Sequence, residues 1–352
     1  MKNYLHTGAV RELLLWYQEN KRDLPWRRTR DPYRIWISEI MLQQTRVEAV
    51  KPYYARFLEV CPNVETLASI PEERLMKLWE GLGYYSRARN LKRAAQTVLE
   101  KHGGKMPTTY EELRALSGIG DYTAGAIASI AYGIRVPAID GNVLRVLARL
   151  QGSHEDILNP KVKAKWRDEL RELIPPEAGD FTQAMIELGA TVCVPNGEAK
   201  CHLCPLRGDC VAARDALTDV LPVRAAKKPR RIEKRTVLII RDGTRTALCK
   251  RPSKGLLAGL YELPNVLGHL SAQEIPAYLR TIGFEALHVE ALVPSKHIFT
   301  HVEWHMIAYA IRITPDFDGQ CGMEGMQLIE NRDLHQNYAV PSAFSAYTKY
   351  LV

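Results

Sequence analysis

The chain has 352 residues, room for two ordinary domains with a core apiece. Its formal net charge of +8 favours a polyanionic partner. No uninterrupted apolar run reaches membrane-spanning length, and the polar start MKNYLHTGAV lacks the apolar stretch of a signal peptide, so a cytoplasmic protein with no membrane association is expected.

From residue 8 to about 215 the apolar residues recur at helical spacing. The pattern predicts helices near 8–19, 32–48, 50–60, 72–79, 85–101, 109–116, 122–131, 141–150, 161–173 and 178–189, with short Gly and Pro breaks between many of them. Within the second of these, WISEIMLQQT places Glu39 on the helical face shared by Ile35, Trp36 and Leu42. A carboxylate there either bends out to solvent or sits where its pKa is raised.

Further along, GLGYYS at 81–86 and GIGDYT at 118–123 share the form G-(aliphatic)-G-x-Y-(hydroxyl), 37 residues apart, and suggest two similar helix-turn-helix units. In LSGIGDYTAGAIASI, Gly118 and Gly120 precede an Ala-rich helix. Such a turn either exposes backbone N–H groups to a phosphate or simply packs two helices closely. Asp140, in AIDGNVLRVLAR, precedes a new helix. It reads as an N-cap, and a carboxylate held by a helix N-terminus is expected to stay ionised. Glu39 and Asp140 would then be an unlike pair, one protonated acid and one anion, as in glycoside chemistry. Sequence alone cannot bring them together.

Cys193, Cys201, Cys204 and Cys210 fall within 18 residues in the order C-x7-C-x2-C-x5-C. This density indicates metal ligation rather than a disulfide framework, with zinc and a [4Fe–4S] cluster both chemically suited to four thiolates. His202 reads as a bystander, while Lys200 and Arg207 stand near enough to contact phosphates. Cys61, Cys249 and Cys321 receive no role.

The texture then changes. VRAAKKPRRIEKR, 223–235, holds seven basic residues and one acid and reads as a tether. Two β-rich runs flank Asp242-Gly243 as a hairpin, SKHIFTHVEWHMIAYAIRI adds further strand pattern, and a helix is expected near 271–282.

Taken together, LPWR at 24–27, WISEIMLQQTRV, LWEGLGYYSRARNL, LSGIGDYTAGAI, AIDGNVLRVLAR, GDFTQAMIELGAT and the four-cysteine loop resemble the MutY family of adenine DNA glycosylases, within the endonuclease III superfamily. The resemblance implies a multidomain fold. An all-α helix-hairpin-helix glycosylase domain with a four-cysteine iron–sulfur loop would span 1–222, with the six-helix region and hairpin at about 30–140 and the loop at 193–210. After the linker at 223–235, an α+β Nudix-like (MutT-like) domain would span 236–352, marked by KGLLAGLYELP. The segment after that marker lacks the paired glutamates of a working diphosphatase and offers only Glu274.

The same resemblance implies the roles. Glu39 matches the acid that protonates adenine N7, Asp140 the aspartate facing the C1′ cation, and Asn142 its support. Tyr122 stands where lyase-active relatives carry a Schiff-base lysine, so a monofunctional enzyme is expected. Gly118, Gly120 and Arg22 are expected on the DNA side, and Gln44 and Tyr84 beside the opened base pair. Phe299-Thr300-His301 resembles the family's Phe-Ser-His loop, which meets 8-oxoguanine. The implied cofactor is one [4Fe–4S] cluster, and the implied partner is duplex DNA carrying 8-oxoguanine–adenine or guanine–adenine mispairs, bound by a monomer. One departure stands out: the first cysteine gap is seven residues where the family usually has six, with Gly197-Glu198 inside it. An outward bulge would absorb the extra residue.

Overall fold

The computed structural model describes residues 4–225, 229–314 and 325–351; Cys321 and part of the basic stretch lie outside them. By packing, the chain divides into two compact units, Met1–Ser69 with Asn90–Ala226 and Ile70–Arg89 with Lys227–Val352.

The first unit is helical among its described residues, as expected. In order come α1 (Thr7–Asn20), α2 (Pro32–Leu42), α3 (Val47–Val60) and α4 (Val64–Ser69). The intervening α5 (Glu72–Leu78) packs with the second unit. The series resumes with α6 (Ser86–His102), α7 (Tyr110–Arg114), α8 (Asp121–Tyr132), α9 (Gly141–Gln151), α10 (Pro160–Arg171), α11 (Ala178–Thr191) and α12 (Val211–Arg214). Local chemistry sets the ends: Asp31 caps α2 by accepting from the Tyr33 N–H at 2.9 Å, with Pro32 at the first helical position. The helix expected over 32–48 ends at Leu42, and the one expected over 50–60 already begins at Val47. Gln44 takes φ 59° and breaks the run before Val47. The expected helices, at 50–60 and then 72–79, also missed α4 between them, whose six residues are too few to show a period.

The core of this unit gathers around α11, which packs against α1, α8 and α9. Leu13, Tyr17, Leu147, Trp166, Phe181 and Leu188 are all at most 1 % exposed there. Gly189 permits a close approach, because a Cβ on it would stand 2.6 Å from the Asn142 Cβ.

In the second unit β1 (Arg231–Arg241), β2 (Arg245–Lys250), β3 (Tyr261–Glu262), β4 (Asn265–Leu267), β5 (Ala286–Ile298), β6 (Val302–Ile313) and β7 (Met326–Glu330) form one sheet ordered β3-β2-β1-β6-β5. β4 pairs with β1, and β7 with β2. The β1–β6 pair is parallel, with Arg231 opposite Val302, and the other pairs are antiparallel. β1 therefore begins inside the stretch read as a tether. The expected hairpin at Asp242-Gly243 joins β1 to β2, with Gly243 at φ 101°.

Strand alternation buries both faces of the sheet. Val237, Ile239, Trp304 and Met306 point to one side with Phe344 and Tyr347; Leu238, Ile240, Tyr309 and Ile311 point to the other. The latter face is covered by α13 (Ile275–Thr281) through Ile275 and Leu279. Helix α14 (Asn331–Asn337) follows β7. Among the described residues no helix is long and apolar enough to cross a membrane.

Candidate active site

Glu39 does not bend out to water. It lies on α2 at 7 % exposure, and the Tyr122 hydroxyl of α8 donates to its Oε2 at 2.7 Å. Burial pushes its pKa up to about 7, and the Asp140 charge adds to this. The Tyr122 hydrogen bond and the Arg27 guanidinium pull the other way without prevailing. Burial also holds the Tyr122 phenol far above its ordinary range, so it remains an O–H donor.

Asp140 caps α9. Its Oδ1 accepts the Asn142 and Val143 N–H groups, both at 2.8 Å, and its Oδ2 accepts from the Asn142 side-chain amide at 2.7 Å. The donors expected to keep it ionised are all present. Their effect is nevertheless outweighed, because desolvation moves its pKa upward overall. The expectation of a simply stabilised anion is corrected on that point: the cap orients the carboxylate, and burial taxes its charge.

Two arginines on α9 extend the arrangement, and neither was foreseen. Arg145, 2 % exposed, donates through Nη2 to Asn142 Oδ1 at 2.9 Å and to the Gly189 carbonyl at 2.7 Å. Its Nε donates to the Cys193 carbonyl at 2.7 Å. One turn on, Arg149 places Nη1 3.3 Å from the Cys193 Sγ and donates to the carbonyls of Val194, Thr218 and Leu221. The available signal was two cations spaced i, i+4 in the apolar run VLRVLARL.

Arg22, expected on the DNA side, is held by Glu187 of α11, which is wholly buried. Arg22 Nε and Nη2 donate to the two Glu187 oxygens at 2.7 and 2.8 Å, and Arg27 Nη2 donates at 2.7 Å. Burial alone would raise the Glu187 pKa, but these donors bring it down to about 2. Glu187, like Glu39, is an acid inside an apolar helical run, and that was its signal.

Gly118 takes φ 77° between α7 and α8, where a Cβ would stand 2.6 Å from the Asn90 Cβ, and Gly120 is exposed at the start of α8. Gln44 is also exposed, while its neighbour Gln43 donates to Thr123 Oγ1 at 3.3 Å. In the cysteine loop, Cys193, Cys204 and Cys210 lie against the helical core. Burial pushes the Cys204 thiol up to about 12, with the other three cysteines adding to it, and Cys210 moves the same way. Gly197 adopts φ 76° with open space beside it. Among the described residues no group of three or more His, Cys, Asp or Glu side chains stands in metal-holding geometry.

Within the second unit, Phe299, Thr300 and His301 form the turn between β5 and β6, closed by the Phe299 N–H on the Val302 carbonyl at 2.9 Å. Phe299 meets the Trp304 ring edge-on at 4.9 Å, leaving Thr300 and His301 exposed. Tyr84, itself at φ 48° and 47 % exposed, places its hydroxyl 3.4 Å from Thr300 Oγ1. A cavity of about 1000 Å³ opens beside them, lined in part by Arg89, Arg231, Arg235 and Trp304. Glu274 is occupied locally, accepting from the Ser271 N–H and hydroxyl, each at 2.7 Å.

Comparison with known proteins finds two family models that match the sequence. The HhH-GPD superfamily of base excision DNA repair proteins covers residues 37–176, and the NUDIX domain covers 236–350. The adenine DNA glycosylase of Rattus norvegicus is 33 % identical across 98 % of this chain and 78 % of its own length. The chain belongs to the adenine DNA glycosylase family. The glycosylase of that name from Mus musculus is 35 % identical over 87 % of this chain and 71 % of its own. That of Buchnera aphidicola (subsp. Acyrthosiphon pisum, strain APS) is 32 % identical over 89 % of this chain and 88 % of its own.

Among solved structures, a thermostable thymine-DNA glycosylase is 29 % identical with a TM-score of 0.54, over 58 % of this chain and 95 % of that one. An endonuclease III–DNA complex, at 24 % identity and a TM-score of 0.51, covers 59 % of this chain and 95 % of its own. It shares the fold.

Proposed function

We propose that this protein is a monofunctional adenine DNA glycosylase of base excision repair, a hydrolase that removes adenine mispaired with 8-oxoguanine or guanine in duplex DNA and leaves an abasic site. The observation that carries the reading is the Tyr122–Glu39 hydrogen bond at 2.7 Å on an acid whose pKa is pushed up to about 7 by burial. Such a carboxyl holds a proton near neutral pH and can still give it away.

The chemistry follows from these side chains. With adenine unstacked from the duplex, Glu39 donates its proton to N7. The C1′–N9 bond breaks, and its electron pair leaves with a neutral base. Positive charge on the sugar faces Asp140, oriented by Asn142 and the Val143 N–H, which stabilises C1′ directly or joins it transiently. Water then supplies the hydroxyl at C1′, and its proton returns to the acid. Tyr122 has no amine with which to form an imine, so strand cleavage does not accompany base release.

On the DNA, Gly118 and Gly120 present backbone N–H groups to a phosphate, Arg22 adds a cation, and Gln44 and Tyr84 stand beside the opened pair. Phe299, Thr300 and His301 read the opposite base. Cys193, Cys201, Cys204 and Cys210 would hold one [4Fe–4S] cluster, for which an all-thiol set, three of its members packed on the helical core and with the Arg149 guanidinium at Cys193 Sγ, is chemically suited. When bound, the cluster supplies rigidity to the 193–210 loop. The protein acts as a monomer in the cytoplasm, associated with the nucleoid through DNA. The domain limits that go with this reading are 1–222, the linker 223–235 and 236–352.

A single-turnover assay tests it, on duplexes carrying adenine opposite 8-oxoguanine, guanine or thymine, scored for free base before alkali. Adenine release fastest opposite 8-oxoguanine, with strand breaks only after alkali, is the expected result. No adenine release from iron-loaded protein would overturn the reading.

A further inference from the structure

The segment Ile70–Arg89 has two allegiances. In sequence it lies inside the glycosylase match at 37–176, yet by packing it belongs with Lys227–Val352. Its side chains show why. Glu73 receives the Lys250 Nζ at 3.1 Å. Lys77 donates to the Tyr338 carbonyl at 3.1 Å. Glu80 accepts the Val340 N–H on Oε1 at 2.8 Å and pairs with Lys77 through Oε2 at 2.6 Å. Arg89 donates to the Ala258 carbonyl at 2.6 Å. At the tip of this arm stands Tyr84, against Thr300.

We infer that Glu80 is a specificity-determining positioning residue, pegging the Tyr84 turn to the Tyr338–Val340 segment so that Tyr84 and Phe299-Thr300-His301 meet one base pair as a single piece. The inference rests on the proposed reading of the opposite base. Three features lead to it. Tyr84 occupies a backbone conformation that a non-glycine residue keeps only where its surroundings over-determine it. The turn is braced internally, since Trp79 Nε1 donates to the Gly83 carbonyl at 3.1 Å and Arg87 Nη2 to the Leu82 carbonyl at 2.9 Å. Glu80, between Trp79 and this turn, carries the link outward: Val340 belongs to the same buried cluster as Trp304 and Phe344, on which Phe299 packs. Peg, core and reading loop are thus continuous.

The test uses the full-length protein. Single-turnover adenine release opposite 8-oxoguanine and opposite guanine is measured for wild type, Glu80→Ala, Glu80→Gln, Thr300→Ala and the Glu80→Ala/Thr300→Ala pair, with melting temperatures alongside. Glu80→Ala is expected to lower the 8-oxoguanine-to-guanine rate ratio about tenfold, the scale of one lost hydrogen bond to a charged group. Glu80→Gln, whose amide oxygen still accepts from Val340, restores most of the ratio, and the double variant loses less than the product of the single losses. An equal loss in both contexts, following the melting temperature, would reduce Glu80 to a structural residue and overturn the inference. Independent losses in the double variant would overturn it as well. A wild-type ratio near one is a different failure: it removes the opposite-base reading itself.

Discussion

Arg145 and Asn142 share a hydrogen bond of 2.9 Å inside α9, and through it the cap of Asp140 is joined to the backbone of Cys193. The Asp140 carboxylate and the first cysteine of the loop hang from one guanidinium. Arg145→Met is expected to lower the single-turnover rate by about a hundredfold, since it frees Asn142 and strands the buried Gly189 carbonyl, at about 1–3 kcal/mol, along with the half-buried Cys193 carbonyl. Stopped-flow rates and urea unfolding on the same preparation measure both effects. Intact activity would show that Asn142 needs no such support.

Glu39→Gln separates chemistry from binding. The amide keeps the size of the side chain and an acceptor for Tyr122, but it has no acidic proton. Base release is expected to fall at least about a thousandfold with duplex affinity retained, the upper range for loss of one acid catalyst.

The same variant makes a stability prediction with a definite sign. Glu39 titrates near 7 in the folded protein against an ordinary 4.5, so the native state binds the proton more tightly. That contribution is complete below about pH 4.5 and is lost as pH rises through 7, on the order of 3 kcal/mol in all. Replaced by glutamine, the site has no charge to bury. The variant should therefore gain on wild type between pH 5 and pH 8 in denaturant midpoints. A difference that does not change with pH would show that the carboxyl is not protonated at neutrality.

Tyr122→Phe removes a hydrogen bond that lowers the Glu39 pKa. The alkaline limb of the excision profile should move to higher pH even as the maximal rate drops about tenfold through lost orientation. An unmoved limb would mean that the titrating group is not Glu39.

Glu187 has the opposite sign. Its pKa of about 2 lies below the ordinary 4.5, so its contribution is present above about pH 4.5 and fades as pH falls through 2. Glu187→Ala leaves Arg22 and Arg27 without their buried counter-charge and should cost about 3–5 kcal/mol at neutral pH. Thermal unfolding at pH 7 measures that cost. A loss below 1 kcal/mol would show that water replaces the carboxylate.

The sequence made some of this plain and hid the rest for physical reasons. Glu39 was legible because an acid amid Ile35, Trp36 and Leu42 violates helical patterning, and Asp140 because a cap is a local motif. Arg145 and Glu187 violate the same patterning, but what they do was hidden, since their partners Cys193, Arg22 and Arg27 come from other parts of the chain. The upward net shift at Asp140 was missed for a related reason: its hydrogen bonds are local, whereas its desolvation is made by everything packed around it. The break at Gln44 hides because a single left-handed residue leaves the apolar period on either side intact. Ile70–Arg89 reads as one more helical stretch between others, and nothing in its own sequence announces that its partners follow Lys227.

That placement also sets an order of events during synthesis. Glu80 and Val340 are 260 residues apart, so at ordinary translation speeds the arm waits roughly 10–50 s for the residue that pegs it. Through that interval the nascent chain carries α5 and the Tyr84 turn without the surface they are built to rest on. Their final structure is a late event, made from early sequence, and it belongs to the moment when the last strand and helix arrive.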